Sequence, residues 1–305
     1  MAKLTLRQLE LVSALPGFRT MAEAAAALHV SESGLSQAVS EVERIVGEPL
    51  CVRRKAKGLQ MTPAGQYFAL RSRRIVEEAA ALVDDLSASR GEITGPIRVG
   101  CYMGFSATVL PPATAQFANA HPRAQLNVDV GGDDELLPQL RQGSMDFALL
   151  YDMALPADLN KKVVYGTEVT AVLPADHRLA TQRAVSLTDL KDDPLILLDT
   201  APSTANTHRV FAEIGISPRI GAVAPTIDLA RAYIGRGMGY GLLMSRPHAP
   251  DTSPEGLPLV TIPLRPRTGT ANVVAVWPRS MKLSPRAEAF LDAIIDTMQS
   301  VDRRS

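Results

Sequence analysis

The chain has 305 residues, 46% hydrophobic and 21% charged, and its 32 Lys+Arg balance 32 Asp+Glu to a formal net charge of +0. Such a length calls for two or three compact units rather than one small core, and the composition is that of an ordinary water-soluble protein. A zero balance excludes a uniformly basic nucleic-acid binder, so any such patch must be local. No run of about 18 apolar residues occurs, so no membrane partner is expected. MAKLTLRQLE carries charges where a secretory signal needs an apolar run, and a cytoplasmic location is expected. Cys51 and Cys101 fall in different predicted domains, and His29, His121, His177, His208 and His248 lack metal-ligand spacing. Neither a structural disulfide nor a metal or other cofactor is expected.

The first predicted helix follows a capping box at Thr5 and Gln8, with Leu6, Leu9, Val12 and Ala14 as its apolar side, and ends near Pro16-Gly17. A second capping box, Thr20 and Glu23, opens a short helix with Ala24, Ala25 and Leu28 as its buried stripe. His29-Val30-Ser31 reads as a turn and Ser31 as an N-cap. Leu35, Val39, Val42 and Val46 then run at helical spacing until Gly47 and Pro49 end the element. This is a helix-turn-helix within a three-helix unit, with alanines where two backbones approach. The free face of its last helix carries Glu32, Ser33, Ser36, Gln37 and Ser40, residue types that bond base edges or phosphates in a major groove. Thr20 and Ser31, at the two helix starts, complete that candidate DNA-contact set. The alternative is an ordinary helical hairpin with a solvated face. CVRRKAKGLQMTPAG then places Arg53, Arg54, Lys55 and Lys57 before an apolar-flanked turn, which reads as a β-wing whose cations meet phosphates.

Over these sixty or so residues the chain resembles the LysR-type transcriptional regulators. The resemblance rests on Leu6, Leu9, Ala24-Ala25, Leu28, Val30-Ser31, Leu35-Ser36, Val39, Val42-Glu43, Gly47, Pro49-Leu50, Arg53 and Thr62-Pro63-Ala64-Gly65. It implies a winged helix-turn-helix, a long dimerisation helix and a C-terminal effector-binding domain. Three positions depart from the family pattern: Glu32 stands where Gln is usual, Gln37 where Arg is common, and Cys51 where an aromatic is usual. Glu32 cannot donate to guanine but can accept from a cytosine amino group, so the operator preference is expected to differ from that of relatives.

Thr62 and Pro63 start a long helix in which Phe68, Ser72, Ile75, Ala79, Leu82 and Leu86 alternate at spacings of four and three. A coiled-coil seam with a second copy is expected, the alternative being packing on the chain's own core. A dimer implies a double-stranded DNA operator with approximate dyad symmetry. The resemblance extends this to a dimer of dimers, a homotetramer, with RNA polymerase as a further candidate partner.

After a break at Gly91–Pro96, strands (Ile97–Cys101, Gln125–Val130, Met145–Leu150, Val169–Leu173, Leu195–Leu198, Ile220–Val223, Tyr240–Met244, Val273–Trp277) alternate with helices (Ser106–Ala120, Asp133–Gln142, after Thr204, from Thr226, from Pro285). Alternating βα units predict parallel sheets with helices on both faces. The fold class is α/β multidomain: a winged helix-turn-helix over 1–62, a linker helix over 63–90, and an α/β effector domain over 91–305. Its first subdomain is 91–166 with 266–305 and its second is 167–265. This resembles the periplasmic-binding-protein-like domain of the family.

In such folds ligands lie beyond the carboxyl ends of strands, near helix N-termini. Tyr102, Met103, Phe105, Ser106, Gly132, Asp133, Tyr151, Asp152, Ser203, Thr204, Thr226 and Met244 are therefore the candidate effector contacts, each with a plain alternative as a cap or core residue. Asp133, read as an N-cap, would occupy the helix donors and repel an anion, which predicts a neutral or amine-bearing effector with an apolar part. The leading function is a ligand-responsive transcription regulator. Redox sensing through Cys101 lacks a resolving cysteine in the same domain. An enzyme lacks a nucleophile elbow, a phosphate loop and a metal motif, and GRGMGYG at Gly235–Gly241 follows a helix with its third glycine misplaced. A purely architectural DNA binder would leave the effector half without a use.

Overall fold

The computed structural model describes residues 4–54, 58–88 and 93–302, and the chain divides into two compact units, 1–96 with 138–145 and 97–137 with 146–305. Among the described residues no helix is long and apolar enough to cross a membrane.

The first unit opens with α1 (Leu6–Ala14), α2 (Met21–Ala27) and α3 (Glu32–Val46). The Thr5 side chain accepts from Gln8 N while Gln8 reaches back to Thr5 N, which closes the expected capping box. At α2 the box is altered. Thr20 accepts from Glu23 N, but Glu23 turns to Arg19 N rather than to Thr20 N. Ser31 Oγ accepts from Gly34 N at 3.0 Å, and Gly47 ends α3 at φ +82°, a conformation a side chain resists. Leu35, Val39 and Val42 are sealed with Val12, Leu15, Ala24 and Ala25 in one core. Leu6 and Val46 are exposed, and Leu11 on α1 and Leu15 in the 3-10 turn just after it take the core positions that Leu6 and Ala14 were expected to fill.

Strands β1 (Cys51–Arg54) and β2 (Gly58–Met61) pair antiparallel as the wing, with Leu59 N donating to Arg19 O. Glu43 Oε1 accepts from Leu50 N and Cys51 N, tying α3 to the entry of β1. In α4 (Pro63–Ala88), Thr62 Oγ1 accepts from Gly65 N and donates to Pro49 O. A Cβ at Gly65 would fall on the Leu50 carbonyl, so this close approach admits only glycine. Along the predicted seam, Ser72 is buried and Phe68 joins the core of this unit, whereas Ile75 is exposed. The first turns of α4 thus pack on their own chain, as the alternative had it. The side chains of Leu82 and Leu86 lie outside the described residues. Arg71 and Arg74 donate to the carbonyls of Gln142 and Gly143, which attaches the short segment Pro138–Met145 to this unit.

The second unit holds two five-stranded sheets. The first has the order β4 (Ala124–Gly131), β3 (Gly95–Tyr102), β5 (Phe147–Tyr151), β12 (Ala271–Pro278), β6 (Leu159–Thr167). The second has the order β11 (Leu259–Pro263), β7 (Val169–Pro174), β10 (Tyr240–Met244), β8 (Leu195–Leu198), β9 (Ile220–Ala224). Every residue of β5 and of β7 is buried, as interior strands covered on both faces require. Helices α5 (Ser106–Ala120) and α9 (Pro285–Asp302) pack together through Phe117 and Phe290, whose ring centroids are 5.0 Å apart. Helices α6 (Asp133–Gln142), α7 (Ala201–Ala212) and α8 (Ile227–Gly235) complete the set.

The sheets are mixed rather than parallel. β3 with β5, and β8 with β9 and β10, run parallel, but β12 is antiparallel to β5 and β6, and β7 to β10 and β11. The chain leaves the first sheet at Thr167, enters the second at Val169, and returns from Pro263 to Ala271. Strands flanking these passages have no crossover helix on their own sheet to enforce parallel entry. Two strands, β6 and β11, escape the periodicity of the sequence. Both are edge strands; β6 exposes Lys161, Lys162 and Val163 in succession, and β11 ends in Pro263.

Candidate functional sites

In the first unit, α3 buries one side and presents Glu32, Ser33, Gln37 and Ser40 to solvent, with Ser36 half-buried between them. Thr20 and Ser31 are exposed, but each hydroxyl serves as an N-cap acceptor. Arg53 and Arg54 lie on β1 of the wing, while Lys55 and Lys57 lie outside the described residues. The arrangement is a rigid helix with a polar outer stripe beside a two-stranded wing, the geometry that admits a helix to a major groove.

In the second unit, Tyr102, Phe105 and Tyr151 form one aromatic cluster with centroids 5.2–5.7 Å apart. All three are buried, so Phe105 is core rather than a wall. The Tyr102 hydroxyl hydrogen-bonds the Thr200 hydroxyl at 2.8 Å, joining the end of β3 to the turn before α7, and Ser203 lies beside the same phenol. A second bridge runs from Arg246 Nη1, past the end of β10, to the carbonyl of Gly104 at 2.9 Å. Both bonds connect the half built on the first sheet to the half built on the second. Beside them, Thr167 Oγ1 donates to Ser245 O at 2.7 Å where the chain passes between sheets.

Several expected contacts are otherwise engaged. Asp152 accepts from Asn272 N at 2.8 Å and Nδ2 at 2.7 Å, so its carboxylate braces β5 against β12. Thr226 caps α8 by accepting from Leu229 N. Helix α7 begins at Ala201, earlier than predicted, and Thr204 in its first turn donates to Leu198 O. Ser106 donates to Met103 O, and Met103 itself is exposed. Met244 Sδ receives Asn206 Nδ2. Gly132 N donates to Glu135, and Asp133 is the first residue of α6 rather than its cap. Its Oδ1 is buried without a hydrogen-bond partner, and desolvation, aided by the neighbouring Asp134, pushes the carboxyl up to about 6.

Thr200, Tyr165 and Arg246 were missed by the sequence reading. The segment after β10 was marked at Met244–Ser245, and a cation one residue further, before Pro247, was the available signal. Cys101 is fully buried, and burial holds its thiol well above the ordinary range, which withholds the thiolate that peroxide sensing needs.

Comparison with known proteins bears on both units. The model described as "LysR substrate binding domain" matches residues 90–299, and that of "Bacterial regulatory helix-turn-helix protein, lysR family" matches residues 6–66. The chain is similar to the HTH-type transcriptional regulator ShiR of Corynebacterium glutamicum (strain R), 31% identical over 245 residues that cover 75% of this chain and 80% of that protein. Among solved structures it is similar to HinK, a LysR family transcriptional regulator from Pseudomonas aeruginosa, with TM-score 0.64 and 30% identity over 97% of this chain and 99% of that one. It is also similar to the C-terminal domain of a probable LysR family transcriptional regulator from Rhodococcus sp. RHA1, with TM-score 0.62 and 36% identity over 66% of this chain and 99% of that one.

Proposed function

We propose, since this chain belongs to the LysR family of helix-turn-helix transcriptional regulators, that α3 reads operator bases, that the wing holds phosphates, and that the second unit closes on an effector. The observation that carries this reading is the polar stripe Glu32, Ser33, Gln37 and Ser40, left outside a helix whose other side is sealed. The protein acts in the cytoplasm, without enzymatic turnover. The exposed Ile75 on α4 suits pairing with a second copy, which places two reading helices on a dyad-symmetric operator. Pairing of dimers, and contact with RNA polymerase where the operator adjoins a promoter, follow from the same family reading. Effector binding shifts the balance between open and closed halves of the second unit and so changes how the DNA is held.

Operator selection from random duplexes, followed by binding of variants, tests the DNA half of this proposal. Gln37→Ala should relax preference at one base pair per half-site by about 1–3 kcal/mol. Arg53→Ala should weaken all sequences alike and lower the salt slope by about one. Unchanged sequence preference in both Gln37→Ala and Glu32→Ala would remove α3 as the reader.

A further inference from the structure

Away from the cleft, the second unit holds a cavity of about 280 Å³ that none of the expected effector contacts lines. Three separate stretches close it: residues 186–188, the C-terminal end of α7, and residues 264–268, which begin the passage from the second sheet back to the first. Val185 N donates to Pro263 O at 3.0 Å and Arg265 N to Val185 O at 2.8 Å, which lays the first stretch along the end of β11. A Cβ at Gly269, whose φ is +62°, would fall 2.4 Å from Val169 Cγ2 and 3.2 Å from Val210 Cγ2, so the passage lies close against α7. The walls are set by backbone pairing and close packing, not by side chains free to collapse into the space.

The floor is apolar. Leu187, Val210 and Leu264 belong to one hydrophobic core, and Ile214 at the rim is exposed. Covering such a surface with a ligand is favourable. The charges around the mouth are unequally matched. Glu213 is occupied on both oxygens: Oε1 accepts from Arg209 Nη1 at 2.6 Å and Oε2 from Thr268 Oγ1 at 3.1 Å. Arg267 Nε lies 3.4 Å from Glu168 Oε2. Arg265 is exposed, and its guanidinium has neither a hydrogen bond nor an ion pair among the described residues. An apolar floor with one unmatched cation at its mouth complements a molecule with an apolar body and an anionic end, and a guanidinium also stacks on an aromatic ring. The volume falls just short of the range of about 300–1,000 Å³ that drug-sized ligands occupy, so a single ring with a short acidic arm is the size that fits.

We propose that this cavity is a second ligand site, distinct from the effector cleft, and that it takes a one-ring aromatic anion, its ring on Leu187, Val210 and Leu264 and its charged end on Arg265. Helix α7 separates the two places. At about 1.5 Å per residue, its 12 residues hold Glu213 about 20 Å along the axis from Thr200, which bonds Tyr102 in the other half. A molecule held in the cavity ties the end of α7 to the passage between the sheets. Neither site needs the other to be occupied, so each can be refuted alone.

The test uses the full-length protein, with the melting shift at about 10 mM probe and calorimetric titration as its readouts. The probes are phenylacetate and benzenesulfonate, beside phenylacetamide and benzenesulfonamide, which keep the ring and lose the charge. The expected result is a rise in melting temperature with at least one anion, and binding about three- to tenfold weaker for its amide. Arg265→Gln, at an exposed position, should weaken the anion by the same about three- to tenfold and leave the amide's affinity unchanged. Ile214→Trp sets a large ring at the rim and should abolish binding of both; should it fail to fold, Arg265→Gln decides by itself. Tyr102→Phe, at the far end of α7, should change the affinity by less than about twofold, as sites this far apart act independently. The proposal is overturned if neither anion shifts the protein, if anion and amide bind alike, or if Arg265→Gln binds the anion as the parent does. Binding lost in Tyr102→Phe and kept in Ile214→Trp would place the probe in the cleft and overturn the second site as well.

Discussion

Replacing Asp133 by Asn should stabilise the second unit at neutral pH and do so in a pH-dependent way. The folded carboxyl titrates at about 6 against an ordinary value of 3.8, chiefly because burial disfavours its charge. Between those values the folded state holds a proton that the unfolded chain has released, so stability falls as pH rises from about 4 to 6 and stays low above that window. At about 1.4 kcal/mol per pH unit the displacement amounts to about 3 kcal/mol, and screening by the solvent that reaches part of the side chain reduces this to about 1–2 kcal/mol. Asparagine keeps the shape and removes the charge. At pH 8 the melting transition of the second unit in Asp133→Asn should rise by roughly 2–8 °C over the parent protein. Near pH 3.5, below both values, the carboxyl is protonated in the folded and the unfolded chain alike and the two proteins should melt together. Differential scanning calorimetry of the full chain at both pH values reads this directly. A variant that is no more stable at pH 8, or a difference of the same size at both pH values, would refute the argument that Asp133 is a desolvated, unpartnered acid.

Other outcomes follow from single contacts. Ser31→Ala deletes the acceptor of Gly34 N at the start of α3 and should cost about 1 kcal/mol in chemical denaturation of the first unit, with weaker operator binding in a gel-shift assay. Leu35→Ala opens a cavity in a fully sealed core and should cost about 2–5 kcal/mol by the same denaturation measurement. Gly65→Ala sets a methyl on the Leu50 carbonyl and should abolish the cooperative melting of the first unit, seen by calorimetry, while leaving that of the second. Tyr102→Phe removes the bridge to Thr200 and should lower the second unit's stability by about 0.5–1.5 kcal/mol, read from its melting.

The features legible in the sequence were those whose causes are local. Thr5, Ser31 and Gly47 act within one helical turn of themselves, and Leu35, Val39 and Val42 repeat at the period of the helix they seal, so α3 and its outer stripe could be read directly. The strands β5 and β7 announced themselves because burial on both faces leaves an unbroken apolar run. Strands β6 and β11 did not: β6 exposes Lys161, Lys162 and Val163 in succession and β11 ends in a proline, so neither carries an unbroken apolar run, whereas the edge strands β4 and β9 were read. Direction within the sheets was also invisible, because it depends on which sheet the chain has just left. The effector cleft shows the same divide. Asp152 looked available until the fold brought Asn272, 120 residues away, onto both its oxygens. Arg246 was not singled out in the sequence; the fold brings its Nη1 onto the carbonyl of Gly104, 142 residues away. Residue types and their spacing determined the helices, the polar outer face of α3 and the existence of two α/β halves. Which polar groups find partners is a long-range matter, decided only when distant strands meet.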